Sequence, residues 1–557
     1  MTDSRGPLID RIVLNPVQKE AVEYDGGPQL VFAGAGTGKT RVLTAKIAWL
    51  MDQKKVPPGA IFAATFTNKA AREMKTRVEA FTGIPCAALW IGTFHSLCVR
   101  ILRRDGRPLG YPSFFTIYDA DDQQSLLKAV LKELQIDERT MAPQVAAHAV
   151  SRFKNECLTP DAAVAKAAGF YDQQVARVYK TYQQMLRKRQ AMDFDDLITN
   201  TVFLLRDNPD VCACYRRMFQ HVLVDEYQDT NHAQFELVRL LAGESGRVFA
   251  VGDDDQSIYG WRGARVENIL SFEKVFAGTR VFKLEQNYRS TTAILDFANA
   301  VIRSNSRRAA KKLWTGRTGG DPVVLSRFDD DRQEAESVSA AVARLLANGS
   351  KPTDVMVLFR TNAQSRVFEE YLRRRNIAYV IVGGMSFYQR REIKDCLAYL
   401  RLVVNPKDDV SFDRIMNVPA RGLGEKARET ILQAAGRTGA SMLETVMDPQ
   451  ALSDFGRGQK GLDDLRGVYA ALAGMNESGA KAVDILQKML EVSSYMDMLE
   501  ADESEESENR IDNINELVNA VTFWQEDNPE RTLADFLEEV TLVTDLDSLD
   551  KKGAEGR

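Results

Sequence analysis

Short runs of four or five apolar residues, each followed at once by small, polar or charged ones, punctuate the first half of the chain: Leu30–Ala33, Ile61–Thr65, Trp90–Thr93, His221–Val224 and Arg247–Val251. A continuous apolar run of that length, rather than an alternation, is what a strand covered on both faces of a parallel sheet displays. Helical text such as Arg41–Met51 follows the strands, so the pattern predicts an α/β protein with a parallel sheet flanked by helices. From about Pro108 to Arg189 the text turns mostly helical, rich in Gln, Ala and Lys, with no strand-like alternation, and reads as an insertion. Val281–Leu284 reads as the opening of a second α/β domain, with further strands at Val323–Ser326 and Asp354–Phe359. Beyond Tyr388 helices with short turns take over, and the acidic stretch Glu500–Glu508 reads as a flexible surface loop.

Composition narrows this little. With 557 residues the chain is long enough for several cores, and 44 % hydrophobic and 27 % charged residues are ordinary for a water-soluble protein. The formal charge of −5 excludes a global positive field and leaves any nucleic-acid contact to local patches. Six cysteines are scattered and only four histidines are present, so no zinc cluster assembles and the usage is that of a reduced compartment. No run approaches the roughly 18 apolar residues of a membrane span, and the first residues lack the apolar core of a signal peptide. A cytoplasmic protein with no membrane contact is expected.

The chemistry begins where the first strand ends. Gly34, Ala35, Gly36, Thr37 and Gly38 lead into Lys39 and Thr40, the spacing of a phosphate-binding loop whose backbone N–H groups cradle phosphates. Lys39 reaches the outer phosphate oxygens, the Thr40 hydroxyl ligates Mg²⁺, and the following helix aims its N-terminus at the anion. The strand at 221–224 delivers Asp225 and Glu226 at its end, where one acid holds the metal and its neighbour poises the attacking water. Gln256 is placed to sense a γ-phosphate, since an amide bonds both phosphate oxygen and a neighbouring acid. Just after it, Tyr259, Trp261 and Arg262 stand in a glycine-flexed loop, and aromatic platforms beside a cation suit single-stranded nucleic acid. Gln18 is either a contact to an adenine edge or a plain surface glutamine. Phe66 is either core or a base-stacking residue, and His95 is a polar loop anchor ahead of a general base. Arg289 could reach the nucleotide from the second domain, and the turn Arg421–Gly424 offers either backbone N–H groups to a phosphate or an ordinary helix start.

With about ten motif stretches in order along the chain, the sequence resembles the bacterial UvrD/PcrA/Rep helicases of superfamily 1, most of all the UvrD type. The resemblance implies two RecA-like domains with two helical insertions: 1A over 1–108 and 190–280, 1B over 109–189, 2A over 281–385, 2B over 386–547, and a return into 2A at 548–557. It implies an ATP- and Mg²⁺-dependent motor that moves 3′ to 5′ on single-stranded DNA and unwinds 3′-tailed duplexes in DNA repair, alongside repair proteins. Within it Gln18 reads adenine, Tyr288 packs on adenine, Arg41 adds a nucleotide contact, and Lys39, Thr40, Asp225, Glu226 and Gln256 keep the roles given above. Arg289 becomes an arginine finger. Phe66, Tyr259 and Trp261 become base-stacking residues, Thr93, His95, Arg262, Arg360 and Asn362 line the strand path, and Arg421, Gly422 and Gly424 grip duplex backbone.

Members of the family continue with a TLH…AKGLEF-type and a VxxTRA-type motif that these 557 residues lack. The chain is therefore expected to be cut short, with 2A incomplete. Hydrolysis and unwinding by this chain alone should then be impaired, an apolar sheet edge exposed, and a complementary C-terminal fragment needed. Rival readings are an RNA-directed or protein-remodelling ATPase of the same architecture, a non-enzymatic DNA-binding module, and, further off, a small-molecule kinase.

Overall fold

The computed structural model describes residues 12–542 apart from 86–88, 244, 245, 306, 310, 382–386, 454 and 503. The expected return at 548–557 lies outside these residues. Six strands lie side by side in one parallel sheet: β1 (Gln29–Ala33), β2 (Ile61–Thr65), β3 (Trp90–Thr93), β6 (His221–Val224), β7 (Val248–Gly252) and β8 (Arg280–Leu284), in the order β3-β2-β6-β7-β1-β8. The first five of them are buried along their whole length, because helices cover both faces. Val31, Ala63, Leu223 and Val251 point into one core with the helix Lys39–Asp52. Leu30, Phe62, Val224 and Ala250 point into the other, with the helices Phe94–Asp105 and Phe194–Asp207.

β8 corrects the first expectation about the second α/β domain. It does not open a new sheet but pairs with β1 from Gln29–Arg280 to Ala33–Leu284. Phe282 and Leu284 face the same core as Val31, Val281 packs partly against the other, and the strand's backbone closes the open edge beside β1. The stretches 323–326 and 355–359 belong to no strand or ladder among the described residues, with Leu325 93 % and Leu358 84 % exposed. Strand-like text becomes a strand only when a neighbour takes its N–H and C=O groups.

The helical insertion has its own core, in which Leu127, Val130, Tyr179 and Tyr182 pack between the helices Ala120–Glu133, Pro143–Asn155 and Phe170–Lys188. It is pinned at its base by a parallel ribbon of β4 (Thr116–Tyr118) and β5 (Ala191–Asp193). β4 lies where no strand was expected; three residues are too few to show an alternation, and their partner comes 75 positions later in the chain. Residues Arg391–Thr541 form a second helical body around Leu397, Phe412, Leu465, Leu486 and Phe536. The two helical bodies meet through polar groups: Tyr118 donates to Asp408 at 2.7 Å, Arg401 pairs with Asp122 at 2.8 Å and Lys394 with Asp119 at 2.8 Å. The acidic stretch at 500–508 is not simply a loop. Ser504 caps the helix Glu505–Asp527, and Glu505, Glu506 and Glu508 occupy its first turn, where the helix dipole favours negative charge.

Candidate nucleotide and nucleic-acid sites

Apart from Gln18, which lies on the helix Pro16–Glu23, the candidate nucleotide residues of the sheet domain follow the C-terminal ends of its strands, where a parallel α/β sheet opens its crevice. β1 ends in the glycine-rich loop, and Gly38, in the left-handed region at φ +89°, turns the chain into the helix that starts at Lys39. Gly36, at φ +71°, is needed for space as well: a Cβ there would come within 2.8 Å of both Arg289 Cβ and Asn287 Nδ2. Asn287 Nδ2 donates to the Ala35 carbonyl at 2.6 Å and the Tyr288 amide to the Gly36 carbonyl at 2.9 Å. The segment that follows β8 therefore holds the phosphate loop directly and sets Arg289 against it. Thr37 is fully buried and ties the loop to itself through the Gly34 carbonyl, while Arg41 stands exposed one turn further on.

Gln18 is neither a plain surface residue nor an open adenine reader. It is buried, its Oε1 accepts from the Asn15 amide to close a capping box, and its Nε2 donates to the Thr37 carbonyl at 2.9 Å. This structure uses it to brace the phosphate loop. Tyr288 is half exposed beside it, its hydroxyl taking a hydrogen bond from Asn15 and giving one to Gln286.

β6 brings the two acids to the same place. Glu226 adopts φ 49°, rare for a residue with a side chain, and its carboxylate meets the Lys39 ammonium at 2.7 Å. Asp225 is buried and hydrogen-bonded with Thr40; burial, then the Glu226 charge, push its carboxyl up to about 7. A buried acid short of positive charge beside a threonine hydroxyl fits a divalent cation, and Thr40 with Asp225 would hold Mg²⁺ here. Gln228, buried and absent from the expected set, joins the acids to the next loop. Its Nε2 donates to Glu226 and Asp229, each at 3.0 Å, and its Oε1 accepts from the Asp253 amide at 2.9 Å. Its backbone carbonyl accepts from the Ser257 hydroxyl. Gln256 donates to Asp253 at 2.5 Å and accepts from Lys39 at 3.5 Å, so the expected sensor does touch the phosphate lysine.

The same loop ends in an open platform. Trp261 is 70 % exposed, its ring lies 6.4 Å from that of Tyr259, and the Arg262 guanidinium sits 4.7 Å above the Trp261 ring. Phe66 and His95 follow β2 and β3, whose last residues Thr65 and Thr93 are register partners, so the two rings stand at neighbouring strand ends. Phe66 leans on Phe94 and His95 on Phe194. Burial lowers His95 to about 4, which keeps it neutral. Arg360 and Asn362 are exposed at the start of a turn whose Gln364 side chain takes the amides of Arg360 and Thr361.

Two side chains expected to contact DNA, one on the strand path and one on the duplex backbone, are committed elsewhere. Thr93 is buried as the N-cap of the helix Phe94–Asp105, accepting from the Ser96 amide at 3.1 Å. The Arg421 side chain is 4 % exposed: it pairs with Asp464 at 2.5 Å and donates to the carbonyls of Ile415, Pro419 and Ser493. It is an internal strut, which leaves only the exposed backbone at Gly422 and Gly424 for a phosphate. Among the residues missed, Gln228 and Asn287 stand within two positions of the marked Glu226 and Arg289, as buried amides that a loop-to-loop joint needs.

Two family models match the chain: the UvrD/REP helicase N-terminal domain over residues 14–277 and the UvrD-like helicase C-terminal domain over residues 282–554. Among curated relatives, the ATP-dependent DNA helicase PcrA of Bacillus subtilis (strain 168) is 45 % identical over 543 residues, 97 % of this chain and 73 % of that protein. PcrA of Staphylococcus aureus (strain Mu50) is 44 % identical over 542 residues, 96 % of this chain and 74 % of its own. These relatives are PcrA helicases, which corrects the leaning towards UvrD. The C-terminal model is matched as far as residue 554, and the expected impairment of hydrolysis finds no support in these matches. The chain belongs to the UvrD/REP helicase family.

Proposed function

We propose that the protein is an ATP-dependent DNA helicase: it hydrolyses Mg·ATP in the pocket of Lys39, Thr40, Asp225, Glu226 and Gln256, and uses the cycle to move along single-stranded DNA and part duplexes. The observation that carries this reading is the continuous set of contacts around Gln228. It ties the Lys39–Glu226 pair to the loop from Gly252 to Gly263, and so to the platform of Tyr259 and Trp261. A kinase for a small acceptor has no use for such a platform. Glu226 orients water towards the γ-phosphate, Lys39 and Arg289 carry the charge that develops, and the chemistry is positioning and electrostatics rather than covalent catalysis. Bound Mg²⁺ would supply charge neutralisation between the outer phosphates.

Movement from 3′ to 5′ and action in DNA repair with repair proteins follow the family resemblance, and a cytoplasmic location follows the scattered cysteines of a reduced compartment. No described helix is long and apolar enough to cross a membrane. The decisive experiment is ATP turnover with and without single-stranded DNA or RNA, followed by unwinding of 3′-tailed against 5′-tailed duplex. Stimulation by DNA and preference for the 3′ tail are expected, and turnover indifferent to any nucleic acid would end this reading. Replacing Tyr259 or Trp261 by Ala should each weaken single-strand binding by roughly 1–3 kcal/mol, the worth of one stacked base, with nucleotide affinity unchanged. Fluorescence anisotropy of a labelled oligonucleotide checks it.

A further inference from the structure

The loop that carries Gln256 is held on its far side by a cation that no motif announces. The Lys311 side chain is 2 % exposed, and its ammonium lies 2.7 Å from Asp253 Oδ1, 3.0 Å from Asp255 Oδ2 and against Asp254 Oδ1. Among the described residues, Asp253, Asp254 and Asp255 are the one group of three acids close enough to hold a metal ion, and the lysine fills the place such an ion would take. Arg308 adds a forked pair to Asp255 at 3.1 and 2.9 Å, and the Ala309 amide donates to Asp254 at 2.6 Å. The three carboxylates thus face two cations and an N–H, all from one stretch of chain beyond β8.

That stretch also touches the phosphate loop. Leu313 covers Gly34, and Trp314 brackets Asn287, accepting from its amide at 2.8 Å and bridging to Gln286. Asp253 divides its carboxylate between the two sides: Oδ1 takes the Lys311 ammonium and Oδ2 takes the Gln256 amide. We infer that Lys311 is a positioning residue for ATP hydrolysis, fixing Asp253 and through it the direction in which Gln256 presents its amide to the γ-phosphate.

This inference rests on the proposed ATPase activity, and the test separates the two. Wild-type protein without DNA-stimulated turnover would strike that activity itself. Given stimulated turnover, Lys311→Ala should lower kcat at saturating single-stranded DNA on the order of 10²-fold, the effect of an ångström-scale misplacement. The Kd for a fluorescent ATP analogue and for the oligonucleotide should stay close to wild type. Lys311→Arg, which restores charge but not the compact three-way fit, should recover part of the loss. Asp253→Asn combined with Lys311→Ala should lose little more than either alone, because both act through one contact. A folded Lys311→Ala protein with near wild-type stimulated kcat would overturn the inference, as would parallel loss of nucleotide affinity, DNA affinity and melting temperature, which marks a structural role only. If Lys311→Ala does not fold, Asp253→Asn alone decides: unchanged stimulated kcat overturns the inference, and a kcat loss at constant Kd supports it.

Discussion

Replacing Glu226 by Gln should lower DNA-stimulated ATP turnover by roughly 10²–10⁴-fold, the share general-base positioning contributes, while nucleotide affinity holds or tightens. The second half of this expectation comes from the geometry. The Lys39 ammonium lies 2.7 Å from the Glu226 carboxylate, so a phosphate that binds the lysine shares it with a competing negative charge. Glutamine keeps the shape and the contact with Gln228 but removes that competing charge, leaving Lys39 freer for phosphate oxygens. Single-turnover hydrolysis together with titration of a fluorescent ATP analogue separates the two effects. A variant that turns over at more than a tenth of the wild-type rate would remove Glu226 from the base role, and one that loses nucleotide affinity would show the pair to be part of the binding site's fold.

Replacing Lys154 by Ala should destabilise the joint between the sheet domain and its helical insertion by about 3–5 kcal/mol, the cost of leaving buried charge without its partner. Lys154 is wholly buried, with its ammonium 2.7 Å from Asp193 and 2.8 Å from Asp196. Tyr182 and Gln123 also donate to Asp193, and Gln183 donates to Asp196 at 2.5 Å. Two acids share one cation, and burial followed by the Asp193 charge pushes Asp196 up to about 7. Burial acts likewise on the adjacent Asp195, raised to about 6 and held by Ser151 and Asn155. A folded-state value above the ordinary 3.8 means that Asp196 contributes stability fully below that value and loses it as pH rises through about 7. Without Lys154 nothing offsets the two charges, so the variant's deficit relative to wild type should be larger at pH 8 than at pH 6. Because the chain has several domains, limited proteolysis within 108–190 reads this more cleanly than one melting temperature. Equal deficits at both pH values would show the lysine to matter for packing alone.

The phosphate loop, the acid pair and the aromatic platform were legible in the sequence because each is local. A strand, a tight turn and the chemistry at its end lie within about a dozen residues, and the left-handed backbone at Gly36 and Gly38 follows from the glycines themselves. The α/β class was legible for a similar reason, since strands covered on both faces must be apolar throughout. Where partners are remote, the local text was silent or misleading. Arg421 looked like a phosphate contact until Asp464 and the Ser493 carbonyl, 43 and 72 positions away, enclosed it. β8 was assigned to the next domain because only the open edge of β1 could claim it. The cage around Lys311 forms across 57 positions between a lysine in polar text and three consecutive aspartates, and nothing in either stretch names the other.

The sequence by itself determined which groups gather at the glycine-rich loop, because a P-loop places its own donors through short-range backbone geometry. Only the tertiary structure decided how those groups are held and joined to the aromatic platform of Tyr259 and Trp261. Gln18, Gln228, Asn287 and Lys311 act by filling hydrogen bonds across elements distant in the chain, and a buried polar group acquires its role from whichever partner the fold sets beside it.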